Sequence, residues 1–220
     1  MPKVPGVLGF AIVKLLILGA TGRLGRHLVT QALERGHDVT ILVRHRSKVD
    51  LQHERLHIIE GDVTNNAVLG EAMREQNAVI SAIGRGMSFK SEHLIERSVP
   101  GILVTMQTHG VRRLMFTSAM GVGASYRDAP VMAKLFFRTL LRGIYADKAI
   151  GEQMIRNSAL EWTIVQPVQL NDGPLTKNYR AAESLPMSGM PQISRADTAH
   201  FVLDRLHDPS TIGKTLILAD

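Results

Sequence analysis

The stretch Val13-Lys14-Leu15-Leu16-Ile17-Leu18-Gly19-Ala20-Thr21-Gly22-Arg23-Leu24-Gly25 decides how the rest of the chain is read. Val13 to Leu18 is a short apolar run that ends on glycine, the pattern of a buried strand. From Arg23 the rhythm changes. Leu24, Leu28 and Leu33 recur at near-helical spacing as far as Arg35, and Gly36 closes the run. Between strand and helix stand Gly19, Gly22 and Gly25, spaced Gly-x-x-Gly-x-x-Gly. Such a turn is tight, and it lets the backbone approach a bound anion. The helix that follows turns free N–H groups and a partial positive charge toward the same point. A glycine triplet alone also fits a plain strand–helix turn, so the segments after it carry the decision.

They keep the same alternation. Strands are expected at Asp38 to Val43, Leu56 to Ile59, Ala78 to Ala82, Arg113 to Thr117 and Trp162 to Val165. Helices are expected at Asn65 to Glu75, Glu92 to His109 (stopped by Gly110) and Val131 to Asn157, with a possible break at Gly143. Strand and helix thus alternate six times, which implies an α/β fold: a mostly parallel sheet with helices on both faces, doubly wound by right-handed crossovers. After Pro167 the rhythm fails. Residues 166–192 hold several prolines and glycines and little periodicity, so they are expected to form a small irregular lobe that covers a substrate. Ser194 is a plausible N-cap for a last helix ending near His207, and Thr215 to Leu218 a last strand. One domain over residues 1–220 is the expectation.

Bulk properties exclude several classes. The 220 residues are 45% hydrophobic and 21% charged, an ordinary globular balance that supports one core. Net charge is +6, but the basic residues are scattered and no nucleic-acid motif accompanies them. No nucleic-acid partner is therefore expected, and a local basic cluster is better matched to a small anionic ligand. The absence of cysteine excludes disulfides, thiolate nucleophiles and zinc–sulfur sites, and it is compatible with the cytoplasm, the expected location. The apolar N-terminus is interrupted by Lys14, prolines and glycines well short of the roughly 18–20 residues of a membrane span. Reading it as a cleaved signal would remove the first strand. The nine histidines are dispersed; His53 and His57 lack a carboxylate partner, so no metal site is expected. No Gly-x-Ser-x-Gly nucleophile elbow is present.

The second strand tests the glycine loop. In such folds an acidic residue about 20 residues past the glycines binds the ribose 2′-hydroxyl of NAD. Here the strand ends Val43-Arg44-His45-Arg46, and Asp38 lies at its other end. A guanidinium at this point matches the dianionic 2′-phosphate of NADP(H), which it can grip in a fork. Arg23 could flank the same phosphate. NADP(H) is accordingly the expected cofactor, with a solvated surface arginine as the plainer alternative.

Taken in order, GATGRLG (Gly19 to Gly25), LVR ending at Arg44, GDV (Gly61 to Val63), AVISAIG (Ala78 to Gly84) and HGVRRLMFTSAMGVG (His109 to Gly123) resemble the atypical short-chain dehydrogenase/reductases with their Rossmann fold. Within these, the chain is most similar to the NmrA-like and biliverdin-reductase-B (flavin reductase) group. The stretches from Lys148 to Thr176 and from Ile193 to Leu203 fit the same group. The resemblance implies a placement for each site residue. Gly19, Thr21, Gly22, Arg23 and Leu24, with Gly25, would line the pyrophosphate. Arg44 would meet the 2′-phosphate, and Asp62 and Val63 would lie by the adenine. Ala82, Ile83 and Gly84 would follow the dinucleotide. Ser118 and Ala119 would sit near the nicotinamide, with Pro167 and Val168 on the ring's other side.

The wider superfamily relays protons through Tyr-x-x-x-Lys, with a glutamate four residues after the lysine. Lys148 and Glu152 have that spacing, which puts both on one helix face. The tyrosine position is then 144, which is isoleucine, while Tyr145 lies about 100° further round the helix. Tyr145 is either a displaced proton donor or a packing residue. Lys148 either bonds the nicotinamide ribose or pairs with Glu152 at the surface. Without the tyrosine, an acceptor that takes hydride first and a solvent proton later is favoured over a simple carbonyl. The expected activity is an NADPH-dependent reduction of a flat aromatic or quinoid small molecule, with Ser118 and Lys148 as the catalytic candidates. Met87, Phe89 and Tyr126 could line the acceptor pocket or simply pack in their loops. Arg195 and Asp197, near a helix start, read as cap and dipole chemistry that helps shape the lobe. Two alternatives remain: a redox-sensing regulator that binds NADP(H) without turnover and acts on a protein partner, and a sugar- or amide-modifying isomerase.

Overall fold

The computed structural model describes residues 12–84, 92–128, 141–187 and 189–220. Met87, Phe89 and the expected helical residues 131–140 lie outside them. Strands β1 (Lys14–Leu18), β2 (Asp38–Val43), β3 (Leu56–Glu60), β4 (Ala78–Ser81), β5 (Arg113–Thr117), β6 (Glu161–Pro167) and β10 (Lys214–Ala219) run parallel. With β8 (Arg180–Ala182), antiparallel to β10, they form an eight-stranded sheet in the order β3-β2-β1-β4-β5-β6-β10-β8. Chain progression reverses between β1 and β4, and that reversal opens a crevice at the carboxyl ends of the two strands.

Helices α1 (Arg23–Glu34) and α5 (Arg195–Asp204) cover one face, packed on Leu15, Ile17, Ile41, Ile80 and Val165. Helices α2 (Asn66–Met73) and α3 (Leu94–Thr108) cover the other over Leu16, Leu18, Val79, Phe116 and Ile164; α4 (Arg142–Arg156) joins them by burying Ile155 in the same cluster. The odd and even residues of each inner strand thus serve different cores, which is why β1 reads as an unbroken apolar run. Gly143 is the second residue of α4, which starts at Arg142 with Leu141 as its N-cap. Asn65 caps α2 by accepting from the Ala67 and Val68 N–H groups. Asp147 reaches from α4 to cap α3, accepting from Ile95 N–H at 3.1 Å and Glu96 N–H at 2.8 Å.

The segment expected to be irregular, 166–192, contains short strands. Here β7 (Gln169–Asn171) pairs with β9 (Gln192–Ser194) in a separate parallel ribbon, and β8 extends the main sheet. Three-residue strands show no period that a sequence can display. Among the described residues, no helix is long and apolar enough to cross a membrane.

Candidate active site

The glycine turn is held by contacts that leave no space for side chains. Gly19 has φ +81°, and a Cβ there would stand 2.5 Å from the Ala82 carbonyl oxygen. The loop after β1 is therefore pressed on the end of β4, where Ala82 N–H bonds Leu18 O at 2.9 Å. A Cβ on Gly25 would lie 2.1 Å from the Gly19 oxygen, so α1 leaves the turn too close to it for any side chain at this position. Gly22 is the N-cap of α1. It offers no side chain to cap the helix, and the first turn carries no acidic residue. The N–H groups of Arg23, Leu24 and Gly25 consequently present a positive helix end with no side-chain anion of the helix's own.

Arg44 is exposed at the end of β2, and its charge reaches Asp62 at the end of β3. The Asp62 carboxyl is held below its usual range chiefly by Thr64, whose hydroxyl and N–H it accepts at 2.6 and 2.8 Å. Val63 is half-buried beside it. A cavity of about 270 Å3 opens between α1 and the loop after β2, lined by Thr21, Arg26, Thr30 and Lys48 with apolar Val29 and Ile41. Lys48 thus joins Arg26 as a cation in this lining, and Asp50 brings a carboxylate to it that pairs with Arg26 at 3.7 Å. The 3-10 turn Arg46–Lys48, which returns Lys48 toward Thr21, leaves no mark in composition. Arg23 does not stand free. It pairs with Asp172, whose other oxygen accepts from Arg195 at 2.7 Å.

Across the crevice, Ser118 is 7% exposed and follows β5, its N–H bonded to Val165 O at 2.8 Å. Ala119 is half-buried next to it, and Pro167 and Val168 are buried at the end of β6. Met120 N–H bonds Pro167 O at 3.0 Å and ties the two strand ends together. Among the described residues, four buried polar atoms at the ends of β4, β5 and β6 have no hydrogen-bond partner: Ser81 Oγ, Thr117 Oγ1, Ser118 Oγ and Gln166 Oε1. A buried polar atom left alone is unfavourable by roughly 1–3 kcal/mol. Four such atoms at the ends of β4, β5 and β6 fit a place where a polar ligand completes the bonding.

The Tyr-x-x-x-Lys question has a geometric answer. Tyr145 directs its hydroxyl to Met120 O at 3.1 Å, and burial pushes the phenol well above its usual range. Glu152 is fully buried rather than at the surface. It accepts from Arg156 Nη2 at 2.6 Å and Gln166 Nε2 at 2.8 Å, so the surface pair with Lys148 does not form. Lys148 is half-buried and closes no ion pair among the described residues. Desolvation brings its ammonium down to about 8, against the opposing charges of Glu152 and Asp147. Tyr126 is half-buried in the 3-10 turn Gly123–Asp128. His93, Glu96 and Asp147 bring three potential ligand atoms within 4.8 Å of one another, but the Asp147 oxygens are already engaged as the cap of α3. His53 accepts from Arg55 N–H within its own turn.

A glycine-cradled helix N-terminus at the reversal point of a parallel sheet, with unpartnered polar atoms across the crevice, defines a dinucleotide-binding protein of the doubly wound class. A family model described as NAD(P)H-binding matches residues 19–209, and the chain belongs to that family. The chain is 27% identical over 207 residues to YwnB of Bacillus subtilis, covering 90% of this chain and 93% of that protein. It is 25% identical over 224 residues to the probable pinoresinol-lariciresinol reductase 3 of Arabidopsis thaliana, with 94% and 67% coverage. A Rossmann-fold NAD(P)-binding family protein from Shigella flexneri superposes with a TM-score of 0.72 at 25% identity, over 94% of this chain and 93% of the other. These matches bear out the expected Rossmann fold and the expected NAD(P)H-binding family.

Proposed function

We propose that the protein is an NADPH-dependent reductase that passes hydride to a flat conjugated acceptor, such as a flavin or quinone, without a tyrosine relay. The observation that carries this reading is the pairing of a diverted tyrosine with an idle serine. Tyr145 is committed to Met120 O, Ile144 fills the relay position, and Ser118 Oγ lies buried and unpartnered where an acceptor would arrive. Bound at the crevice, the dinucleotide supplies the hydride. The glycine turn and the first N–H groups of α1 hold its pyrophosphate. Arg44 and Lys48 meet the 2′-phosphate, and Asp62, Val63 and Ala82 to Gly84 line the adenosine half. Pro167 and Val168 bury one side of the reacting ring and exclude water. Ser118 orients the acceptor through one hydrogen bond, and Lys148 binds the ribose next to the ring. Catalysis in this arrangement is mainly face-to-face positioning of donor and acceptor.

The test is NADPH oxidation by the purified protein with FMN, FAD, riboflavin, biliverdin and quinones offered in parallel, and NADH as control. Saturable turnover of one acceptor class, faster with NADPH, supports the reading. NADPH binding with no turnover of any acceptor would favour a regulator acting through a protein partner, a role with which the missing tyrosine is equally compatible.

Three substitutions refine it. Ser118→Ala removes one hydrogen bond to a neutral acceptor, and turnover should fall by about tenfold, the equivalent of about 1.4 kcal/mol, while NADPH affinity holds. Arg44→Asp removes a charge-assisted bond and adds repulsion. NADPH affinity should fall about thirtyfold and NADH affinity hardly at all, as read by fluorescence titration; equal losses for both would show that Arg44 does not meet the 2′-phosphate. The Lys148 ammonium loses its proton as pH rises through about 8. Because the charged form is the better donor to the ribose, the KM for NADPH should climb above that pH. In Lys148→Met the alkaline climb should disappear.

A further inference from the structure

The carboxylate of Asp172 stands between two arginines that begin two different helices. Arg23, the first residue of α1, pairs with one oxygen, and Arg195, the first residue of α5, holds the other at 2.7 Å. The two sides are built differently. Arg195 is 13% exposed in its side chain, whereas Arg23 and Asp172 are 59% and 55% exposed. Just beyond, Asp197 (1% exposed) accepts from the Thr176 N–H and hydroxyl and from the Lys177 N–H, at 2.7–2.9 Å. Asn171 adds a bond to Gln192 at 3.0 Å. The segment from Asn171 to Lys177 is therefore anchored on the α5 side chiefly through buried Asp197, and the exposed Arg23–Asp172 pair joins it to the end of the glycine loop. An exposed pair is weak, worth roughly 0.2–1 kcal/mol, so this contact opens easily while the buried anchors stay closed. Its place is the positive end of α1, where the pyrophosphate is expected.

We propose that Asp172 is a positioning residue: it clasps Arg23 so that the segment after β6 closes over the dinucleotide at the glycine loop and slows its release. The inference rests on the glycine loop being the dinucleotide site. Arg23 has five N–H donors, enough to keep Asp172 on one edge and reach a phosphate oxygen with another. The clasp shapes the residence time of the cofactor and leaves the hydride chemistry untouched.

The experiment is stopped-flow displacement of NADPH, followed by its own fluorescence, with thermal unfolding of each variant as the check on folding. Asp172→Asn should raise the dissociation rate about three- to fivefold, the range of one exposed pair, with little change in Tm. Asp172→Glu should restore most of the slow release, since it returns the charge. In the Arg23→Met background, Asp172→Asn should add nothing. A faster release that persists in that background would show that Asp172 acts other than through Arg23 and would overturn the clasp. Tighter binding in Asp172→Asn would mean that the carboxylate competes with the phosphates, and an unchanged rate would mean a bystander; either overturns it. Failure of the unaltered protein to bind NADPH would instead refute the site beneath the clasp, and the clasp with it.

Discussion

Gly25→Ala is expected to abolish measurable NADPH binding, a loss of more than about hundredfold, and to destabilise the fold by about 3 kcal/mol. The added methyl would sit 2.1 Å from the Gly19 oxygen and 2.8 Å from Ala20 Cα. Both are backbone atoms, so no side chain can swing aside. Either α1 moves away from β1 or the turn unwinds. The turn cannot yield toward β4, because Gly19 already meets the Ala82 carbonyl there. Moving α1 would also strain its seat against α5, where Gln31 Nε2 bonds Ala196 O at 2.9 Å in the buried interface. Binding suffers more than stability, because the N–H groups of Arg23 and Leu24 leave their aim while the core residues of α1 retain part of their packing. Chemical denaturation and NADPH fluorescence titration on one preparation separate the two effects. A variant that binds NADPH within threefold of the unaltered protein would show that the close approach can relax.

The same contacts explain what a sequence can and cannot display. The bounds of β2 and β5 can be read directly because, after Asp38 and Arg113, their residues are all β-branched or apolar, and both strands are buried from end to end or nearly so. The glycine turn can be read because each glycine answers a local steric demand. Ser118 can be placed because it follows a strand whose end the fold locates. The fates of charged side chains are decided by residues far along the chain. Arg23 lies 149 positions from Asp172, and Glu152 meets Gln166 across a helix–sheet interface rather than Lys148 one turn away. The local i,i+4 rule favours Lys148–Glu152, yet the same rule also offers Arg156, and that is the partner buried Glu152 takes. Tyr145 illustrates the converse. Its offset of one residue from the relay position is a local fact, and local geometry alone was enough to point it elsewhere.

Arg113→Met should lower stability by about 3–5 kcal/mol and leave NADPH affinity unchanged in the protein that remains folded. Arg113 opens β5 at the end of the sheet opposite Ser118, and it is 8% exposed. Its guanidinium donates to Leu206 O, Arg205 O and Glu161 O and to the hydroxyls of Thr163 and Thr211, all at 2.8–3.1 Å. One side chain thereby fastens the end of α5 and the turn before β10 to the sheet. Burial draws its proton affinity down to about 10, still high enough to keep the charge at neutral pH. Methionine preserves the apolar stem but leaves those oxygens without the donors they now have, and each unsatisfied buried acceptor is unfavourable by roughly 1–3 kcal/mol. Thr163 and Thr211 recover part of this through their own bond at 3.2 Å, which holds the expected loss below the simple sum. The measurement is urea unfolding at pH 7 with NADPH titration of the folded fraction. A loss under 1 kcal/mol would mean that water replaces the guanidinium. A loss of affinity matching the loss of stability would mean that the two ends of β5 are coupled, which the separation of Arg113 from the crevice by the length of a strand argues against.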